Sequence, residues 1–121
     1  MFLATTNKVK RLLHLNFIGH VRVEDLEHSR DEVVSLLADL PAGFRLLTDM
    51  SLLHSMDIAC EPEISRMMEV FDQKGTSMVI RVIPKPQKDI GFNILAAFHY
   101  RHRVKMVTCG SMEEASRLLL S

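Results

Sequence analysis

The chain has few cysteines, no excess of either charge and no long apolar run, and each shortage removes a class of protein. Its two cysteines, Cys60 and Cys109, lie far apart. Two isolated thiols make neither a disulfide framework nor a paired metal knuckle, and they suit a reducing, cytoplasmic compartment. Fifteen Lys and Arg balance fifteen Asp and Glu. Nucleic-acid binders ordinarily carry a basic imbalance, so no nucleic-acid partner is expected. No apolar run approaches the roughly 20 residues of a membrane span. The first residues, Met1 to Thr6, show no basic region followed by an apolar one, so no signal peptide is expected. Gly19, Gly43, Gly75, Gly91 and Gly110 are scattered and form no glycine-rich loop. A nucleophile elbow, a phosphate loop, a dinucleotide fingerprint and a zinc-protease helix are all missing. Neither an enzyme nor a cofactor is expected on these grounds.

What remains is the composition of an ordinary globular domain. The chain is 121 residues long, with 47% hydrophobic and 25% charged residues. It reads as one domain over residues 1–121, long enough to fold without metals or disulfides. The charge is uneven. Lys8, Lys10, Arg11 and Arg22 come first, then Glu24, Asp25, Glu27, Asp31, Glu32 and Asp39, then a basic stretch from Arg101 to Lys105. Such blocks are usually solvated surface. They also suit two complementary faces pairing head to tail.

Periodicity predicts alternating strands and helices. Leu13, Leu15 and Phe17 alternate with His14 and Asn16, so Leu12 to Ile18 reads as a strand with one wetter face, ended by Gly19. Phe2 to Thr5 reads as a short strand before it. Leu26, Val33, Val34 and Leu37 recur at helical spacing, predicting one helix over Val23 to Leu40, stopped by Pro41-Ala42-Gly43. Phe44 to Thr48 reads as a short strand ending at Asp49, with a loop running to Asp57. A second helix starts near Glu61-Pro62, with Pro62 suited to its first position and Gly75 to its stop. Ser77 to Ile83 is the next strand, and Asp89 to Tyr100 a third helix. Val104 to Thr108 is the last strand, and Ser111 with Glu114 forms a capping box for a final helix. The fold class is therefore α/β, a largely parallel sheet of four to five strands with four helices. Sites in such folds lie at the carboxyl ends of the strands, here Gly19 to Arg22, Asp49 to Asp57, Pro84 to Asp89 and Cys109 to Ser111.

One of these ends carries a family pattern. The run Leu46-Leu47-Thr48-Asp49-Met50-Ser51, followed eight residues after Asp49 by Asp57, resembles the STAS domains, the SpoIIAA-like group that includes anti-sigma-factor antagonists. Length and element order are similar over nearly the whole chain. The resemblance implies a SpoIIAA-like fold and a non-catalytic regulatory or protein-interaction module. It places partner binding on Asp49, Ser51, His54, Ser55, Asp57, Ile58, Ala59 and Cys60. One feature departs from the family. Members switched by phosphorylation carry a serine two residues after the second Asp, where this chain has Ala59, and Ile58 between them has no hydroxyl either. A phosphate switch at the family's position is therefore not implied.

Several residues admit two readings. Asp57 reads either as an internal cap of the following helix or as part of a site for an anion or a partner's carboxylate. Cys60 reads either as a buried, inert thiol or as one activated by the helix dipole. His54, Asp57 and Cys60 fall short of the four ligands a structural zinc needs, so no metal is expected. His99, Arg101, His102 and Arg103 read as a solvated basic helix end or as an anion site. Met50, Met56, Met67 and Met68, among eight methionines, read as adaptable core or as the wall of an apolar pocket. The partner is accordingly a protein or a second copy of the chain. The alternative is carriage or sensing of a small apolar or acidic, lipid-like ligand.

Overall fold

The computed structural model describes residues 1–83 and 104–120. The helix predicted over Asp89 to Tyr100 and the cluster of His99, Arg101, His102 and Arg103 lie outside them. Five strands form one sheet in the order β1 (Phe2–Asn7), β2 (Leu12–Val21), β3 (Arg45–Met56), β4 (Met78–Val82) and β5 (Lys105–Cys109). β1 pairs antiparallel with β2 through a tight turn, and the other neighbours are parallel. Among the described residues the helices are α1 (Val23–His28), α2 (Arg30–Ala38), α3 (Cys60–Lys74) and α4 (Met112–Leu120). The α/β class, the largely parallel sheet and its helical cover agree with the sequence.

The alternation read in β2 is its division between two sides. Leu13, Leu15 and Phe17 are completely buried in the larger core cluster, beneath Leu26, Val33, Leu37, Ile64, Met68 and Phe71 of α1 to α3. The opposite side of the sheet holds a smaller cluster, in which Leu12, Leu47, Ile80, Val82 and Cys109 meet Ala115 of α4. The Ser111 half of the capping box predicted for α4 is present, and Glu114 reaches one residue further back than the N-cap. Ser111 Oγ accepts the Glu114 amide at 3.2 Å, while the Glu114 carboxylate reaches back to the amide of Gly110 at 3.0 Å.

Besides β2, which runs on past Gly19 to Val21, three predicted boundaries move. The single helix over Val23 to Leu40 is two, broken at Ser29, whose amide turns to the carbonyl of Leu26 three residues back. Leu26, Val33 and Leu37 stay buried across the break, whereas Val34 is exposed. Pro62 is the third residue of α3, still inside the first turn, where a missing N–H costs no intrahelical bond. The third change is the largest. Met50 to Met56, predicted as loop, continues β3 alongside β2.

α3 ends at Gly75, in the left-handed region at φ 105°, with its amide on the carbonyls of Phe71 and Asp72. A Cβ there would lie 3.2 Å from that of Ala42. Replacing Gly75→Ala is expected to cost about 1–2 kcal/mol, the usual penalty for a side chain in left-handed backbone. It should appear as a lower urea midpoint with an unchanged slope. An unchanged midpoint would contradict this C-cap.

Candidate functional site: the carboxyl end of β2 and β3

β4 ends opposite Asp49, at Val82. Beyond that point β3 runs on with β2 as its strand partner, and the ladder is irregular. Between the pairs Asn16↔Asp49 and Val21↔Met56, β2 advances five residues and β3 seven, so β3 carries two extra residues. Each extra residue makes a bulge, which bends the strand and re-aims the side chains beyond it. Asp49 secures the first bulge. Its Oδ1 accepts the Ser51 amide at 2.9 Å and the Ser51 hydroxyl at 2.6 Å. Gly19, at φ 66°, sits on β2 at the second, where positive φ is natural for a residue without Cβ.

The bulges set His20 of β2 directly opposite Ser55 of β3. The imidazole bridges two groups of β3. Its Nδ1 lies 2.6 Å from Ser55 Oγ and its Nε2 2.8 Å from Asp57 Oδ1. A carboxylate only accepts. In the neutral ring Nε2 therefore carries the proton, and Nδ1 accepts from the Ser55 hydroxyl. The His20 and Asp57 side chains are 46% and 42% exposed, so the group faces solvent.

Asp57 does not cap α3 with its side chain. The carboxylate is turned to His20, and the helix N-cap position, Ala59, has no side-chain cap. The start of α3 is held by backbone instead. The Asp57 carbonyl accepts the Cys60 amide at 2.9 Å, the Ile58 carbonyl accepts that of Glu61 at 3.1 Å, and the Asp57 amide donates to Val21 at 3.0 Å. The turn leaves Ile58 71% exposed. His54 and Ala59 are exposed as well.

Cys60 points the other way, into the core, with its thiol 3.7 Å from the Val21 carbonyl. Burial, followed by the charges of Asp57 and Asp25, pushes the thiol up to about 11. Cys109 is also buried and raised, chiefly by burial. His54, Asp57 and Cys60 do not converge: among the described residues no three His, Cys, Asp or Glu side chains are grouped as metal ligands would be.

Of the residues the sequence marks, Asp49 and Ser51 form one pair at the bulge, Ser55 and Asp57 form another through His20, and Ile58 and Ala59 make the exposed turn. Asp49 lies inside β3, almost fully buried, rather than at its end. Its Oδ2 is 3.8 Å from His14 Nε2, too far for a hydrogen bond. Burial lowers the His14 pKa, and the Asp49 charge opposes that shift. His20 was missed as an individual residue, although the strand-end rule covered Gly19 to Arg22. Its partners lie 35 and 37 residues away.

An apolar pocket of about 130 Å³ opens elsewhere, between α2 and α3, with Leu26, Val33, Leu37, Met67 and Phe71 in its lining. Among the described residues its walls come from α1, α2 and α3. At its edge Glu63 Oε1 accepts from Arg30 at 2.7 Å and from Arg66 at 2.9 Å. No helix among the described residues is long and apolar enough to cross a membrane.

The Cys60 environment has a direct chemical consequence. At pH 8, a thiol pKa near 11 instead of 9.0 lowers the thiolate fraction about a hundredfold. Alkylation of Cys60 by iodoacetamide is expected to be slower in the native chain than in urea by at least that factor. Comparable rates would place the thiol outside the core.

Comparisons with known proteins bear on the fold. No family model matches the chain, and no curated protein matches it by sequence. Among the solved structures similar to it are two that match over nearly their full length. One is an uncharacterized DUF3478-family protein with a SpoIIAA-like fold from Shewanella loihica PV-4, at a TM-score of 0.70 and 13% identity, covering 98% of this chain and 92% of that one. The other is the anti-sigma factor antagonist SpoIIAA in its unphosphorylated form, at a TM-score of 0.66 and 14% identity, covering 100% of this chain and 99% of that one. With the same strand-and-helix architecture matched over essentially its whole length, the chain has a SpoIIAA-like fold.

Proposed function

We propose that this chain is a regulatory interaction module. It docks another protein, or a second copy of itself, through the exposed residues of the segment from Asp49 to Ile64. The observation that carries this reading is the exposed apolar side chain of Ile58, raised by the turn ahead of α3 and 71% accessible. Leu52, 63% exposed, adds a second apolar group on the far half of β3. Large side chains left in water beside a rigid strand end are what a partner covers. The nearby charge is mixed, with Asp57 against His20 and Asp25 beside the Met1 ammonium. A complementary partner presents an apolar socket. The solved neighbour SpoIIAA is an anti-sigma factor antagonist, a role in which one protein binds another.

The module works without the family's phosphate switch. Ile58 and Ala59 offer no hydroxyl where that switch would sit. Regulation at this end then rests on contact and concentration rather than on charge added at those positions.

Photocrosslinking tests the surface. A photoreactive residue at position 58, compared in cells with one at Gln73 near the other end of α3, is expected to give a discrete adduct at 58 alone. Introducing Leu52→Arg into the same chain should remove it. Equal adducts at both positions, or none at 58, would overturn the docking surface.

The pocket between α2 and α3 favours ligand sensing as a second reading. Its volume of about 130 Å³ suits one group the size of a benzene ring, since an engineered apolar cavity of ~150 Å³ binds benzene. It is too small for a long acyl chain. Arg30 and Arg66 outnumber the one carboxylate they share, so the matching ligand is a small apolar acid. Titrating phenylacetate into labelled protein is expected to shift the Val33 and Met67 methyl signals saturably, and Arg30→Ala with Arg66→Ala should weaken binding at least tenfold. Unshifted methyl signals would dismiss the ligand.

A further inference from the structure

The docking surface contains a serine whose surroundings do more than hold it in place. We propose that Ser55 is an activated nucleophile, with His20 as its general base and Asp57 as the positioning residue, and that it accepts an acyl group from a small activated ester. This goes beyond the docking reading and does not rest on it.

The geometry is that of a nucleophile–base–carboxylate relay, recognised by roles and distances rather than by chain order. Asp57 accepts from His20 Nε2 at 2.8 Å, which holds the neutral ring with its Nδ1 lone pair toward Ser55. The Ser55 hydroxyl is 2.6 Å from that nitrogen, within proton-transfer reach. Ser55 and Asp57 lie two residues apart, and His20 is the strand-register partner of Ser55, so backbone pairing brings all three together. Half of the His20 side chain is in solvent, and the ring also borders an open cleft of about 430 Å³ that includes Arg22, His28 and Ser29. Ser55 is itself only half-buried, so a small ester can reach the hydroxyl. The nearest thiol, Cys60, is buried and does not compete.

The step balances without an added oxidant or metal. As the Ser55 oxygen bonds to the ester carbonyl carbon, its proton passes to His20 Nδ1, giving an imidazolium held by Asp57. The carbon–oxygen bond to the leaving group then breaks, and that oxygen takes the proton from Nδ1. The products are an acylated Ser55, the free alcohol and the neutral histidine.

An alkyl fluorophosphonate tests the same nucleophile. Attack by the Ser55 oxygen forms a phosphorus–oxygen bond and expels fluoride. The isolated full-length chain is expected to gain one phosphonyl group, mapped to Ser55 by peptide mass spectrometry, and Ser55→Ala should gain none. His20→Gln is expected to slow labelling about a hundredfold, in line with the loss of a general base. Asp57→Asn should slow it at least tenfold and Asp57→Glu should recover most of the rate, a pattern that simple loss of packing would not produce. Amide spectra matching the parent confirm that the variants are folded. Absence of label on Ser55 in the unaltered chain overturns the proposal by itself, as does an equal rate in folded His20→Gln. Neither result touches the docking surface, which is read at position 58.

Discussion

The pairing of β2 with the far half of β3 governs the functional end of this molecule. β4 stops opposite Asp49, yet β3 runs seven residues further, to Met56. It does so with two residues more than β2 has to match. An irregular ladder leaves backbone groups to satisfy, and the Asp49 carboxylate takes up both the amide and the hydroxyl of Ser51. Met50, Leu53 and Met56 meanwhile enter the same core cluster as α1 to α3. Their apolar burial offsets the loss of regular pairing. The position of Ser55 against His20, the anchoring of Asp57 on Val21 and the entry of the chain into α3 all follow from that arrangement.

Two potential nucleophiles stand five residues apart under opposite conditions. Cys60 lies in the core on the inner side of α3, where desolvation favours the neutral thiol. Ser55 lies at the edge of the sheet, in contact with an imidazole whose far nitrogen is bound by a carboxylate. The intrinsically stronger nucleophile is quiet and the weaker one is supported. Burial and hydrogen-bond direction, rather than residue type, separate them. The exposed turn at Ile58 lies between the two, so anything docking there covers the serine's neighbourhood without reaching the thiol.

Much of the fold was legible in the chain. The alternation of Leu13, Leu15 and Phe17, the stop at Gly75 and the capping pair Ser111 and Glu114 each reflect a local rule that the structure obeys. The failures come where the cause is nonlocal. Bulges place the buried residues Met50, Leu53 and Met56 three apart, a spacing that suits neither a strand nor a loop, so β3 was cut short. The aspartates of the family pattern were visible, but their roles were not. Asp57 next to a helix reads as a cap until a histidine from another strand takes its carboxylate. Ser29 interrupts a helical pattern that side-chain periodicity alone carries straight through.

The central claim is that β3 continues past Asp49 and thereby fixes the His20 ring between Ser55 and Asp57. Long-range proton–nitrogen correlation spectra of histidine-labelled protein test it directly, at a pH where the ring is neutral. A single fixed tautomer at His20, protonated on Nε2 and disturbed by Asp57→Asn, is the result this account requires. A ring averaging between both tautomers, indifferent to that substitution, would contradict it.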